Sequence, residues 1–142
     1  MHIGASMFFT DYSMFPAELG RALEERGFES VWAPEHSHIP TSRRTPFPGG
    51  VDLPKRYYDA MDPFVSLTAA ASVTKNLRVG TGVCLVNQRD VIQTAKQVAS
   101  STRFPPGAFC LASGWAGTPK KWKITARCLK VAPSWCVNVL RR

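Results

Sequence analysis

The sequence predicts an α/β fold with a parallel sheet, and three observations support that prediction. Short apolar runs without internal proline recur along residues 1–100, as buried strands require. A segment with helical periodicity follows each run and is bounded by capping residues. Strand and helix alternate three times, which favours right-handed crossovers and therefore parallel strands. An open doubly wound sheet and a closed (β/α)8 barrel both fit this pattern.

The first strand and helix are predicted within the first 27 residues. Residues 2–8 are short and mostly apolar, which suits a buried strand. Pro16 then opens a helical pattern whose apolar face includes Leu19 and Leu23. Gly27 follows, as a helix C-terminal cap would.

The second unit contains a long interruption between its strand and its helix. Residues 28–33 form the predicted strand, and Pro34 ends it. Residues 35–61 are rich in proline and glycine and are predicted to form an extended loop. Loops of that length in compact domains are usually functional or disordered. The helix begins at Asp62-Pro63, a capping carboxylate followed by proline at the first helical position.

The third unit begins with a predicted strand at residues 77–84. Asp90 is the predicted cap of the helix that follows. Ile92, Ala95 and Val98 are expected on the inner side of that helix.

Charge divides the chain into two predicted segments. Residues 1–100 hold 10 Lys and Arg and all 10 Asp and Glu, so the remaining 18 − 10 = 8 basic residues lie in residues 101–142, without any acid. The net charge of +8 is therefore a property of the second segment. No apolar run is long enough to span a membrane, and the chain does not open with a secretory signal. We expect a cytoplasmic protein without a membrane partner.

Candidate chemistry follows the three predicted strands, since parallel α/β folds bind ligands at the carboxyl ends of their strands. The three places are residues 8–12, 34–38 and 82–85. Glu35 and His36 can exchange or orient protons near neutral pH. Alternatively, they form a solvent-exposed pair, or Glu35 only holds His36 in place.

Other motifs in the first segment are less specific. His36 and His38 could ligate a metal, but no further ligand cluster completes a site, so no metal is predicted. Gly80-x-Gly82 lacks the rest of a dinucleotide fingerprint. These glycines either let a flat cofactor approach the backbone or allow tight packing. Cations of the long loop, which could meet anionic groups or form a solvated face, are Arg43, Arg44, Lys55 and Arg56.

Several ordered motifs resemble the luciferase-like monooxygenase superfamily, and within it the subgroup of F420-dependent oxidoreductases. They are residues 22–32, the Pro-Glu-His turn at 34–36, residues 42–50 and residues 77–83. The resemblance covers residues 1–100. It implies a (β/α)8 TIM barrel, of which this chain holds the first three β-α units, with a deazaflavin or flavin across the carboxyl ends of the strands.

The resemblance also implies roles for single residues. His36 matches the histidine near the reactive face of the cofactor, and Glu35 matches its acidic neighbour, so both are predicted catalytic residues. Gly82 and Val83 match a bulge, often with a cis peptide, that backs the cofactor ring, and Leu85 lies beside it. The implied chemistry is hydride transfer at C5 of coenzyme F420, with FMN as the alternative, and a small organic substrate. Full-length relatives are expected to be homo-oligomers.

The family pattern stops after Ser100. Reading the last base of each tail codon with the first two bases of the next permits Gly-Trp-Asn within residues 114–123, a motif such proteins carry near the cofactor. We therefore hypothesise a one-base insertion or deletion near codons 100–101. Residues 101–142 would then be an out-of-frame, poorly ordered tail.

Two expectations follow for the chain as a whole. A (β/α)8 barrel needs roughly 250 residues, so we expect this chain alone to be truncated and inactive. The alternative is a small basic interaction protein that binds nucleic acid through Lys120–Lys123, where charge and tryptophan alternate. Cys110, Cys128 and Cys136 have neither zinc-site spacing nor an even number, so no metal or disulfide scaffold is predicted.

Overall fold

Parallel strands form the centre of the structure, a computed structural model that describes residues 2–39, 47, 52–104 and 108–114. The four strands of the main sheet, in spatial order, are Gly4–Ser6 (β1), Ser30–Ala33 (β2), Arg78–Thr81 (β3) and Phe109–Cys110 (β5). Cys84–Leu85 (β4) and Ser113–Gly114 (β6) form a separate parallel pair. The predicted parallel α/β class is thus confirmed.

Three helices connect and cover the strands: Pro16–Glu25 (α1), Pro63–Ala71 (α2) and Val91–Ser101 (α3). Short 3-10 turns occupy Lys55–Tyr57 and Val86–Gln88. None of the helices in the described ranges is long and apolar enough to cross a membrane.

Local sequence explains where the helices begin and end. The Asp62 side chain accepts hydrogen bonds from the backbone N–H groups of Phe64 (2.9 Å) and Val65 (3.2 Å), and Asp90 accepts one from Gln93 (2.7 Å). Gly27 has a φ of +73°, a left-handed conformation that glycine adopts without steric cost. The predicted caps of all three helices are therefore confirmed.

The core lies between the sheet and the helices. Val31 and Val79 are fully buried on neighbouring strands, beneath Leu67 of α2. Trp32 lies across β3 so closely that a Cβ on Gly80 would come within 2.5 Å of the indole ring. Gly80 therefore serves packing, one of the two interpretations that the sequence leaves open.

The structure differs from the sequence prediction in three places. The predicted strand 77–84 is divided, because after Thr81 the chain pairs with residue 112: the Thr81 hydroxyl donates to the Ala112 carbonyl (2.8 Å), as does the Cys84 N–H (2.7 Å). A fourth parallel strand, β5, follows residue 100, where the sequence predicted only a tail. Ile92 is 79% exposed rather than on the inner side of α3, because it lies in the first turn, beyond the edge of the core.

Candidate active site at the carboxyl edge of the sheet

The carboxyl ends of β1, β2 and β3 lie side by side, because the three strands are parallel and in register. Ser6 pairs with Trp32, and Trp32 pairs with Gly80. We call the segments that follow these three strands the carboxyl edge. They bring His36 and Gly82, predicted from separate parts of the chain, to one side of the sheet. Open and closed parallel α/β sheets bind their ligands at this side.

Four rings form an aromatic cluster at the carboxyl edge: Phe8, His36, Phe47 and Tyr57. The Phe8 and His36 rings are nearly parallel, with an interplanar angle of 8° and centroids 6.3 Å apart. Tyr57 packs 4.8 Å from both of them, and Phe47 lies 5.6 Å from Tyr57. The cluster forms a largely apolar wall that includes the His36 imidazole.

His36 is half-buried, and its pKa is lowered from the ordinary 6.5 because burial penalises the charged imidazolium. The negative charge of Glu35 opposes this effect in part. Near neutral pH the imidazole is therefore mainly neutral and able to accept a proton.

Glu35, the second predicted catalytic residue, is 3% exposed and engaged in the interior. One carboxylate oxygen accepts a hydrogen bond from the Leu85 N–H at 2.6 Å. The other forms an ion pair with Arg89 Nε. The structure thus places Glu35 next to His36 in the chain, but it directs the carboxylate toward Leu85 and Arg89 rather than into open solvent.

Arg89 is a site residue that the sequence reasoning missed. Its guanidinium also forms an ion pair with Asp62 and donates a hydrogen bond to Gln97 Oε1 (3.0 Å), and it lies 4.8 Å from the Phe64 ring centroid. Only 12% of its side chain is exposed. Glu35 and Asp62 precede it by 54 and 27 residues, so no local pattern announces their contact.

Cys84 is fully buried beside the Glu35 carboxylate. Burial and the neighbouring negative charge raise the pKa of its thiol to about 12. The thiol therefore stays protonated at neutral pH and does not serve as a nucleophile.

The turn between β3 and β4 contains two of the three predicted cofactor residues. The Gly82–Val83 peptide bond is cis, the feature that the resemblance implies at this position. Gly82 is exposed and Val83 is half-buried, so both present surface to a ligand. Leu85 is buried, and its N–H is bound to Glu35, so it supports the turn from behind.

Thr10, which follows β1 by four residues, carries a buried hydroxyl group. Thr10 is 5% exposed, and its Oγ1 has no hydrogen-bond partner within the part of the chain that the structure describes. A buried hydroxyl in this position is suited to a polar group of a bound molecule, since an unmade hydrogen bond is costly. Exposed glycine backbone, an aromatic wall and this hydroxyl fit a flat, partly polar cofactor.

Among the remaining candidate residues, Arg56 contacts the aromatic cluster. His38 is exposed, and its Nδ1 lies 3.0 Å from the Ser37 hydroxyl. The described residues contain no group of three or more His, Cys, Asp or Glu side chains that could hold a metal ion. Of the loop cations, Lys55 pairs with Asp59 and Arg56 stacks 5.4 Å from the Phe8 centroid. Arg43, Arg44 and the tail residues 115–142 lie outside the described residues.

Comparison with known proteins agrees with the family resemblance found in the sequence. A family model described as luciferase-like monooxygenase matches residues 16–114. An uncharacterized protein of Mycobacterium tuberculosis is 37% identical over 118 residues, which cover 81% of this chain and 42% of that protein. An uncharacterized protein of Mycobacterium bovis matches to the same extent. The chain therefore spans less than half the length of these relatives, and the family match runs to residue 114, where the resemblance predicted residue 100.

Solved structures share the fold at low sequence identity. The coenzyme F420 dependent tetrahydromethanopterin reductase of Methanopyrus kandleri has a TM-score of 0.56 at 20% identity, over 80% of this chain and 26% of that chain. The monooxygenase RslO1 of Streptomyces bottropensis has a TM-score of 0.64 at 23% identity, over 84% and 34%. A type II Baeyer-Villiger monooxygenase of Pseudomonas putida, solved with FMN, has a TM-score of 0.63 at 15% identity, over 84% and 30%. The chain thus has part of a TIM-barrel fold.

Proposed function

Because the chain belongs to the luciferase-like monooxygenase family, we propose that it contributes one wall of the active site of an F420- or FMN-dependent oxidoreductase or monooxygenase. One observation carries the proposal: the carboxyl edge joins the exposed Gly82–Val83 turn and the aromatic cluster that holds His36. The substrate is expected to be a small organic molecule.

The residues present fit a flat cofactor. Gly82, Val83 and the aromatic cluster would hold its ring, and the Thr10 hydroxyl would form a hydrogen bond with one of its polar groups. The bound cofactor supplies hydride transfer at its ring. One structural neighbour is named for coenzyme F420 and another was solved with FMN, which supports both candidates.

His36 is the proposed proton carrier of this wall. Its lowered pKa leaves an imidazole nitrogen able to take a proton at neutral pH. The neighbouring Phe8 and Tyr57 rings pack against the imidazole and hold it at the carboxyl edge.

The proposal concerns a protein longer than this chain. The matched relatives are more than twice as long as the matched segment, so we propose that the 142-residue chain is inactive alone. We further propose that a change of reading frame gives rise to the basic tail. Since the family match reaches residue 114, the gene should be sequenced across codons 100 to 115. An unbroken frame there would contradict the frame-change hypothesis.

The test of function uses the purified full-length protein with each cofactor in turn. We expect saturable binding of F420 or FMN, seen as a change in cofactor fluorescence. We also expect a small organic donor to reduce the cofactor, seen as loss of the absorbance of the oxidised cofactor. His36→Gln is expected to lower turnover more than cofactor affinity. The same substitution at exposed His38 serves as the matched control. Failure of both cofactors to bind the full-length protein would overturn the proposal.

A further inference from the structure

We infer that Glu35 and Arg89 are positioning residues, which hold the Gly82–Val83 turn in place and carry no proton in the reaction. This inference rests on the proposed function for its link to the cofactor. It departs from the expectation that Glu35 is a catalytic residue.

The Arg89 side chain connects three elements of the fold. Each of its three nitrogens contacts a different element: Nε contacts Glu35 after β2, Nη2 contacts Asp62 at the start of α2, and Nη1 contacts Gln97 in α3. A guanidinium is planar and carries five donors in a fixed geometry, so it can satisfy three acceptors at once. One side chain therefore fixes the end of β2 relative to both helices.

Hydrogen bonds connect the segment that contains Glu35 to the Gly82–Val83 turn. The Gly82 N–H donates to the Ala33 carbonyl at 2.7 Å, and the Leu85 N–H donates to Glu35 at 2.6 Å. Both ends of the turn are thus bonded to the segment that carries His36. Loss of the second bond would detach this end of the turn from the segment that carries His36, and the Cys84 N–H would keep its bond to the Ala112 carbonyl.

Charged and titratable groups surround the Glu35 carboxylate. Arg89 neutralises the carboxylate, the protonated Cys84 thiol lies beside it, and His36 follows it in the chain. Both carboxylate oxygens are already hydrogen-bonded, in a site only 3% exposed. A proton on Glu35 would break a buried ion pair, which is costly because it leaves Arg89 without its partner. Protonation of the half-buried His36 breaks no ion pair in the described part of the chain.

The first test compares pH profiles of the full-length protein. Glu35→Gln should raise the dissociation constant of the cofactor at least tenfold and leave the acid limb of the kcat profile in place. His36→Gln should remove that limb. Glu25→Gln, at an exposed position of α1, is the control. Loss of the acid limb in Glu35→Gln, with cofactor affinity unchanged, would overturn the inference.

The second test needs no cofactor and uses the chain as it is. Amide hydrogen exchange at Leu85 should become at least tenfold faster in Glu35→Gln and in Arg89→Lys, because the lysine cannot reach three acceptors. Exchange at Leu77, which donates to Glu24 instead, should not change and shows that each variant is folded. Unchanged exchange at Leu85 would overturn the inference. Absence of cofactor binding by the wild-type protein would overturn the proposed function, and this exchange comparison would then decide whether Glu35 holds the turn.

Discussion

The segments before and after β3 are each held by a glutamate, and the surroundings of the two glutamates differ. At the amino end, the half-buried Glu24 carboxylate accepts hydrogen bonds from the backbone N–H groups of residues 75–77, at 2.6 to 3.1 Å. At the carboxyl end, the buried Glu35 accepts one backbone N–H, from Leu85, and needs Arg89 to neutralise its charge.

We relate this difference to stability at one end of the sheet and to the proposed chemistry at the other. All the hydrogen bonds that the structure describes for the Glu24 carboxylate come from backbone N–H groups. The carboxyl end combines a buried ion pair with the exposed Gly82 and with His36. In parallel α/β barrels the carboxyl face carries the active site and the opposite face carries stability, and we propose the same division for this chain.

The largest expected effect is at Arg89. Arg89→Met leaves the Glu35 carboxylate buried without a partner, so we expect the free energy of unfolding to fall by about 3–5 kcal/mol. Urea denaturation followed by circular dichroism measures this. Arg103→Met, at an exposed position just after α3, is the control and should change stability by less than about 0.5 kcal/mol. Equal effects at both arginines would contradict a special role of the ion pair.

The next effect separates packing from function within β3 and its turn. A Cβ at Gly80 would lie 2.5 Å from the Trp32 ring, so Gly80→Ala should cost about 1–3 kcal/mol of stability. A Cβ at Gly82 would meet Trp32 at 3.5 Å, an ordinary contact, so Gly82→Ala should change stability by less than about 0.5 kcal/mol. Thermal unfolding compares the two variants. Cofactor titration should then show weaker binding in Gly82→Ala; unchanged affinity would argue against a ring resting on this turn.

A smaller and pH-dependent effect is expected at Glu24. Its hydrogen bonds to backbone N–H groups lower its pKa from the ordinary 4.5, so the stability that it contributes is present above that value and is lost as the pH falls through the lower folded pKa. Glu24→Gln should cost about 1–2 kcal/mol at neutral pH and less in acid. Urea midpoints over an acid-to-neutral series measure this. For the control Glu25→Gln we expect a small difference that does not vary with pH.

The smallest effect on stability is expected at Thr10. Its buried hydroxyl has no partner in the described part of the chain, so Thr10→Val should change the free energy of unfolding by no more than about 1 kcal/mol. If the hydroxyl receives a polar group of the cofactor, as proposed, the same variant should bind the cofactor several-fold more weakly. Parallel denaturation and titration of the variant check both statements.

Much of the fold could be predicted because its signals are local. Asp62, Asp90 and Gly27 act on backbone groups within a few residues, and each functions where the sequence placed it. The division of the third strand after Thr81 could not be predicted in this way. It depends on hydrogen bonds to Ala112, which is 31 residues away.

Prediction of the candidate site was limited in the same way: local motifs could be identified, and contacts between distant residues could not. His36 and the Gly82–Val83 turn were identified because they follow strands in motifs that resemble a known family. The role of Glu35 depends on contacts with residues 50 and 54 positions away, so its sequence neighbourhood suggested catalysis while its partners indicate positioning. Arg89 could not be predicted as a site residue. An arginine before a helix cap has no distinguishing sequence pattern, and its partners Glu35 and Asp62 are distant in the chain.

Amide hydrogen exchange of the full-length protein, with and without F420 or FMN, tests the division between the two ends of β3 most directly. We predict that the cofactor slows exchange at Val83 and Leu85 and at His36, and that it leaves residues 75–77 unchanged. Protection at residues 75–77, or none at the carboxyl edge under saturating cofactor, would contradict the placement of the active site.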